Sequence, residues 1–234
     1  MLDLKGITVS VDDTTILSDV SLSVGPGEVH VLLGPNGSGK SSVLAAIMGL
    51  APYRLDAGQI LFRGRDLAGM AIDDRARLGL GMAFQRPPSL EGVTVGEFAA
   101  ALDASERLTT EAEALDLSAF IGRDLVVGFS GGEIKRWEVL KLFLQAPDFL
   151  LFDEPESGVD LEHIASVGAA VNRLVSAPAR DGSKRGALLI THTGLILEHV
   201  DADMGHIMSG GRIIHSGPPR ALFSHIQKAG YVAP

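Results

Sequence analysis

Residues 2 to 24 alternate apolar and polar, with Leu2, Leu4, Val9 and Val11 before Asp12-Asp13 and Ile16, Val20, Leu22 and Val24 after it. A period of two with one wet face predicts antiparallel strands. After the turn Gly25-Pro26-Gly27, Val29 to Leu33 is a continuous apolar run of the buried-strand kind, followed by a glycine-rich loop and a helical pattern from Ser41 to Met48. The pattern then predicts a strand and turn over 58 to 69, a short helix from Asp73 to Leu78, and a strand from Gly81 to Phe84 that ends at Gln85. From Glu91 to Phe120 it turns helical and alanine-rich, around Glu97 to Leu102 and Glu111 to Leu117, and a further helix runs from Ile134 to Gln145. Strand and helix alternate again afterwards: Phe149 to Phe152, a helix from Leu161 to Val175, a polar loop from Pro178 to Gly186 expected to be solvated, and a strand from Ala187 to Thr191. A hairpin around Gly210-Gly211 and a last short helix complete the chain.

Apolar strands alternating with helices predict an α/β fold whose mostly parallel sheet is covered on both faces, with an antiparallel β subdomain at the amino terminus. The helical stretch interrupts this alternation. It reads as an inserted subdomain over 86–146 in a single domain of 1–234, whose core is formed by 1–85 and 147–234. There is no internal repeat.

Composition narrows the possible functions. Of the 234 residues, 46% are apolar and 21% charged, which excludes a disordered chain, and 28 Gly with 11 Pro require many turns or close backbone approaches. A net charge of −9 argues against a general electrostatic grip on nucleic acid or anionic lipid, so any phosphate must be held locally. The absence of cysteine excludes disulfides, Cys-ligated zinc and an iron-sulfur cluster held by the chain itself, and fits a reducing interior. No apolar run reaches 18 residues, and Met-Leu-Asp-Leu-Lys lacks the layout of a secretory signal. The expectation is a soluble cytoplasmic chain with no direct membrane insertion.

Two motifs carry chemistry. Gly34-Pro35-Asn36-Gly37-Ser38-Gly39-Lys40-Ser41, followed by Ser42, fits the P-loop pattern G-x-x-x-x-G-K-[ST] and lies between a strand and a helix, as its mechanism requires. Its backbone N–H groups and the helix N-terminus can cradle the phosphates of ATP, Lys40 can reach the β and γ phosphates, and the Ser41 hydroxyl can ligate Mg²⁺. Phe149 to Glu154 is an apolar strand ending in two acids. Asp153 would hold Mg²⁺ through water, and Glu154 can orient and deprotonate an attacking water.

Gly128-Phe129-Ser130-Gly131-Gly132-Glu133 opens the helix of residues 134 to 145 and resembles the signature motif of ATP-binding cassette (ABC) ATPases. The order P-loop, Gln85, signature, acid pair, Ser157-Gly158-Val159-Asp160 and His192 resembles that family along nearly the whole chain. The resemblance implies a P-loop fold of the ABC ATPase type, with Gln85 sensing Mg²⁺ and the attacking water and His192 contacting the γ-phosphate. It also implies that Ser130, Gly131, Gly132 and Glu133 clasp ATP held by the other protomer of a head-to-tail homodimer.

Finer details resemble the SufC-type ATPase of the SUF iron-sulfur assembly system: Val29-His30, Ala83-Phe84-Gln85-Arg86-Pro87-Pro88 with Gly92-Val93, Glu133 with Lys135-Arg136, Gly230-Tyr231, and no aromatic residue near Val11 to stack on adenine. Departures are Ser41-Ser42 where Ser-Thr is common, and Pro155 after Glu154. The resemblance implies a soluble SufB/SufD-type scaffold as partner. The alternatives are a nucleotide-binding subunit of a membrane transporter, with a permease as partner, and an ATP-driven switch without chemistry. Lys135 is expected either to pair with Glu154 or to be a solvated helix lysine, and Trp137 to be core. His192, His199 and His206 are spaced by seven residues across different elements, which is not a ligand cluster.

Overall fold

In the computed structural model, residues 1–232 are described, without the side chains of Leu161 and Glu162. β1 (Leu2–Val11) and β2 (Thr14–Val24) form a hairpin. β3 (Val29–Leu33) leads through the glycine-rich loop into α1 (Lys40–Met48), followed by β4 (Tyr53–Phe62), β5 (Arg65–Asp66), α2 (Ile72–Arg77) and β6 (Leu80–Ala83). Then come β7 (Leu90–Thr94), α3 (Val95–Ala101), α4 (Ser105–Ala114), β8 (Asp124–Leu125) and α5 (Gly131–Gln145). The chain continues through β9 (Phe149–Asp153), α6 (Leu161–Ser176), β10 (Gly186–Ile190), β11 (Met204–Ser209), β12 (Arg212–Gly217) and α7 (Pro219–Ala229).

Two main sheets result. β2-β1-β4-β5 is antiparallel, while β12-β11-β3-β10-β9-β6 is parallel except for β12. Successive side chains of a strand face opposite ways, so the continuous apolar runs supply two cores. Val29, Val31, Leu33, Leu150, Phe152, Ala187 and Leu189 face one cluster with α5 and α6, whereas Leu32, Phe149, Leu151, Leu188 and Ile190 face α1 and the antiparallel sheet. Each of Phe149 to Phe152 is fully buried, worth roughly 1.5–3 kcal/mol per side chain. β9 therefore sits rigidly between β10 and β6.

The structure moves several predicted boundaries. β4 begins at Tyr53 rather than 58: Tyr53 and Leu55, half-buried, alternate with exposed Arg54 and Asp56 and pair with the end of β1. α3 begins at Val95, where Thr94 and Glu97 form a capping box. The short β7–β8 pair has no counterpart in the predicted pattern. The loop from Pro178 to Gly186 is largely exposed, as expected, but it is tied down: a Pro178–Lys184 bridge closes it, the Arg180 N–H donates to Asp148 Oδ1 at 2.8 Å, and buried Arg185 donates to the Leu174 carbonyl at 3.2 Å. Trp137 is buried edge-on against Phe98, 5.5 Å between centroids. Among the described residues, no helix is long and apolar enough to cross a membrane.

Candidate active site

β3, β10, β9 and β6 are neighbouring parallel strands, so their carboxyl ends open on one edge of the sheet. That edge is where ligands bind in open α/β sheets. Leu33 is followed by the P-loop, Ala83 by Phe84 and Gln85, Asp153 by Glu154, and Ile190 by Thr191 and His192. Asn36, Gly37, Gly39, Lys40, Ser41, Ser42, Gln85, Glu154 and His192 line one cleft of about 650 Å³, with Ile16 and Ser157.

The loop's local chemistry explains its shape. Gly37 and Gly39 have φ of 79° and 100°, and a β-carbon on Gly39 would come within 2.7 Å of Leu17 Cδ2, so glycine is required there. Gly34 packs against the Met208 carbonyl and the buried Ser38 hydroxyl. Lys40 Nζ folds back to donate to the Gly34 and Pro35 carbonyls at 2.7 and 3.0 Å. Burial holds its pKa below the usual lysine range, opposed by the charges of Glu154 and Asp153.

Ser41 Oγ donates to Asp153 Oδ1 at 3.0 Å. Asp153 is only 6% exposed, and burial raises its pKa above the usual carboxylate range. Glu154 is also buried and adopts φ of 50°, uncommon for a non-glycine residue. Its Oε2 accepts from Gln85 Nε2 at 2.7 Å, and its Oε1 lies 3.2 Å from His192 Nδ1. That contact is not aligned as a hydrogen bond, and Nδ1 has no other hydrogen-bond partner.

The signature residues stand apart from this cleft. Ser130 caps α5, its hydroxyl accepting from the Glu133 N–H at 3.4 Å while Glu133 Oε2 accepts from the Ser130 N–H at 2.6 Å. A β-carbon on Gly131 or Gly132 would lie 3.5 or 4.0 Å from the Gly158 carbonyl, so this helix start lies beside the Ser157-Gly158 turn. Ser130 and Gly131 are exposed. The S-x-x-E spacing of this capping box is legible in the sequence.

Lys135 takes neither of its two expected roles. It is only 5% exposed, and its Nζ donates to the Gln85 carbonyl at 2.9 Å, while Glu154 accepts from the Gln85 amide. Burial lowers its pKa, against the charges of Asp153, Glu138, Glu154 and Glu156. One turn further along α5, buried Glu138 accepts the Phe84 N–H at 2.6 Å and pairs with Lys141 at 2.6 Å. Glu138, Glu156, Thr191 and Thr193 escaped the sequence motifs; only the i,i+3 spacing of Glu138 and Lys141 hints at a pair. Among the described residues, no three His, Asp or Glu side chains gather as metal ligands.

The family model for ABC transporters matches residues 17–157. The chain belongs to the ABC ATPase family. It binds ATP and hydrolyses it. A probable ABC transporter ATP-binding protein of Streptococcus pyogenes serotype M3 is 37% identical over 246 residues, covering 99% of this ABC ATPase and 93% of the relative. The probable ATP-dependent transporter SufC of Escherichia coli K12 is 36% identical over 248 residues, covering 99% and 97%. Among solved structures, a nucleotide-free ATP-binding cassette from an ABC transporter superposes with a TM-score of 0.79 at 24% identity, covering 100% of this chain and 99% of that one. A dimeric ATP-binding cassette bound to ADP and Pi gives a TM-score of 0.79 at 18% identity, covering 94% and 99%. These two likenesses show the ATP-binding cassette fold.

Proposed function

We propose that this ABC ATPase is the ATP-hydrolysing subunit of an iron-sulfur cluster assembly complex of the SUF type, moving a soluble SufB/SufD-type scaffold by ATP-driven head-to-tail dimerisation. The observation that carries the SUF reading is that the antiparallel sheet gives the cleft aliphatic Ile16, with no Phe, Tyr or Trp ring among its lining residues to stack on adenine. Lost stacking would cost about 1–3 kcal/mol of nucleotide affinity on the scale for stacked bases. The 36% identity with SufC along 97% of that protein supports it. With no cysteine, every cluster-ligating thiolate belongs to the partner.

In this reading the N–H groups of the P-loop and the start of α1 receive the phosphates, and Lys40 turns from the Gly34 and Pro35 carbonyls to the β and γ oxygens. The donor set fits Mg²⁺: the Ser41 hydroxyl and Asp153 carboxylate already meet, Gln85 would offer its amide oxygen, and phosphate and water would complete an all-oxygen shell. When bound, Mg²⁺ would neutralise charge on the β and γ phosphates. Glu154 takes the proton of the attacking water, and His192 holds the γ-phosphate. Segment 86–146 presents Ser130, Gly131 and Gly132, a hydroxyl and free N–H groups at a helix N-terminus, to the nucleotide of the second protomer. Glu133 holds that helix start in shape through the capping box.

Affinity purification from the native cell under oxygen-free conditions, with the partner identified by mass, tests the assignment. A soluble complex with a large β-rich scaffold supports it. The second reading, a transporter subunit, draws on the Streptococcus relative and on exposed Leu90 and Val93, which follow Gln85 in the chain and where a permease helix could dock. Recovery of a permease in the membrane fraction would overturn the SUF assignment in its favour.

A further inference from the structure

We propose that Glu156 is a positioning residue that sets the place of His192. The inference rests on the reading of His192 as the γ-phosphate contact. Glu156 follows Glu154 by two residues and is 3% exposed. Its Oε1 accepts hydrogen bonds from both Thr191 Oγ1 and Thr193 Oγ1, the second at 3.1 Å. One carboxyl oxygen thus gathers the two residues that flank His192. The two hydroxyls in turn accept backbone N–H groups further on, Thr191 from Gly194 at 2.9 Å and Thr193 from Leu195 at 3.3 Å.

The imidazole needs such a mount. Its Nδ1 makes no hydrogen bond, so the ring's place depends on how its backbone is held. On the other side, Tyr231 Oη donates to the His192 carbonyl at 3.3 Å, and the Phe223 ring packs directly against Gly194, whose φ of 68° suits glycine. Glu156 closes the mount from the β9 side and ties it to the peptide chain that carries Glu154. General base and phosphate contact then keep their spacing when the site closes on nucleotide.

A shorter or neutral side chain could satisfy two hydroxyls at lower cost. Glu156 Oε2 instead stays buried without a partner, and burial raises the residue's pKa. Such an unsatisfied atom is rare in native structures and is tolerated where position matters more than stability.

Steady-state ATPase kinetics on Glu156→Ala, Glu156→Gln and Thr193→Val, with His192→Ala as reference and thermal melts to confirm folding, test the proposal. Misplacing one group by about an ångström can cost on the order of 10- to 100-fold, so Glu156→Ala should lose kcat on that scale while KM for ATP moves less than about threefold. Glutamine keeps an oxygen for both hydroxyls and should recover most of the loss. Thr193→Val should lower kcat in the same direction, and adding it to Glu156→Ala should cost little more. If His192→Ala loses turnover while Glu156→Ala and Thr193→Val keep it, or if kcat and ATP affinity fall together and glutamine restores neither, the positioning role is wrong. Wild-type turnover in His192→Ala would instead overturn the reading of His192 on which the proposal stands.

Discussion

The side-chain amide of Gln85 donates to Glu154 Oε2 at 2.7 Å, so the acid beside the P-loop is held by the residue that ends the neighbouring strand's extension. Gln85 is itself held by α5, through Lys135 on its carbonyl and Glu138 on the Phe84 N–H. The helix that begins at Ser130 therefore bears directly on the carboxylate that would activate water. Movement of the signature can reach Glu154 through two hydrogen bonds and one peptide unit.

Glu154→Gln should bind ATP yet turn over about 10²- to 10⁴-fold more slowly, the usual scale for losing one acid-base group. Phosphate release and equilibrium ATP binding measured on the same preparation check it. Near-normal turnover would remove Glu154 as the base.

Glu138→Ala leaves the Lys141 ammonium and the Phe84 N–H without their buried partner. Uncompensated charge of this kind costs about 3–5 kcal/mol, and urea unfolding should show a loss on that scale. The double change Glu138→Gln with Lys141→Met should cost less than Glu138→Ala alone. Equal losses would mean that the pair is not what holds this part of α5.

These relationships divide by how far they could be seen in the chain. The P-loop and the acid pair were legible as motifs that follow short apolar runs, whereas Gln85 and His192 came only from the resemblance to ABC ATPases; parallel strands bring all four to one edge. The signature was legible as a motif, and the structure places it at the exposed start of α5, beside the Ser157-Gly158 turn. Glu138 and Glu156 were not legible: a buried acid looks in sequence like any surface acid until its partners, Phe84 and Lys141 or Thr191 and Thr193, are brought beside it. The contact of Lys135 is hidden in the sequence for the same reason, since only the packing of α5 on β6 puts the Gln85 carbonyl within its reach. The two-residue β8 is too short to carry the periodicity that marks the other strands.

His30 and His206 meet inside the parallel sheet, Nδ1 to Nε2 at 3.0 Å, with Glu28 on His30 and Ser216 on His206. Burial, with the His30 charge adding to it, lowers the His206 pKa from 6.5 to about 4. Burial also lowers that of His30, against the charges of Glu28 and Asp203. A folded-state pKa below the unfolded one favours the neutral ring, so this contribution is complete above about pH 6.5 and is lost as pH falls towards 4. The His206 share is about 3 kcal/mol at most. Denaturant unfolding between pH 7.5 and 4.5 should show a smaller decline in His206→Gln than in the natural chain. Parallel declines would place the acid sensitivity elsewhere.

In the proposed function the P-loop cleft and the exposed helix start at Ser130 are two half-sites that a second copy of the chain would join. Gel filtration with light scattering of Glu154→Gln, with and without Mg-ATP, tests this most directly. A monomer without nucleotide should become a dimer at saturating Mg-ATP; a monomer under both conditions would contradict ATP-driven dimerisation.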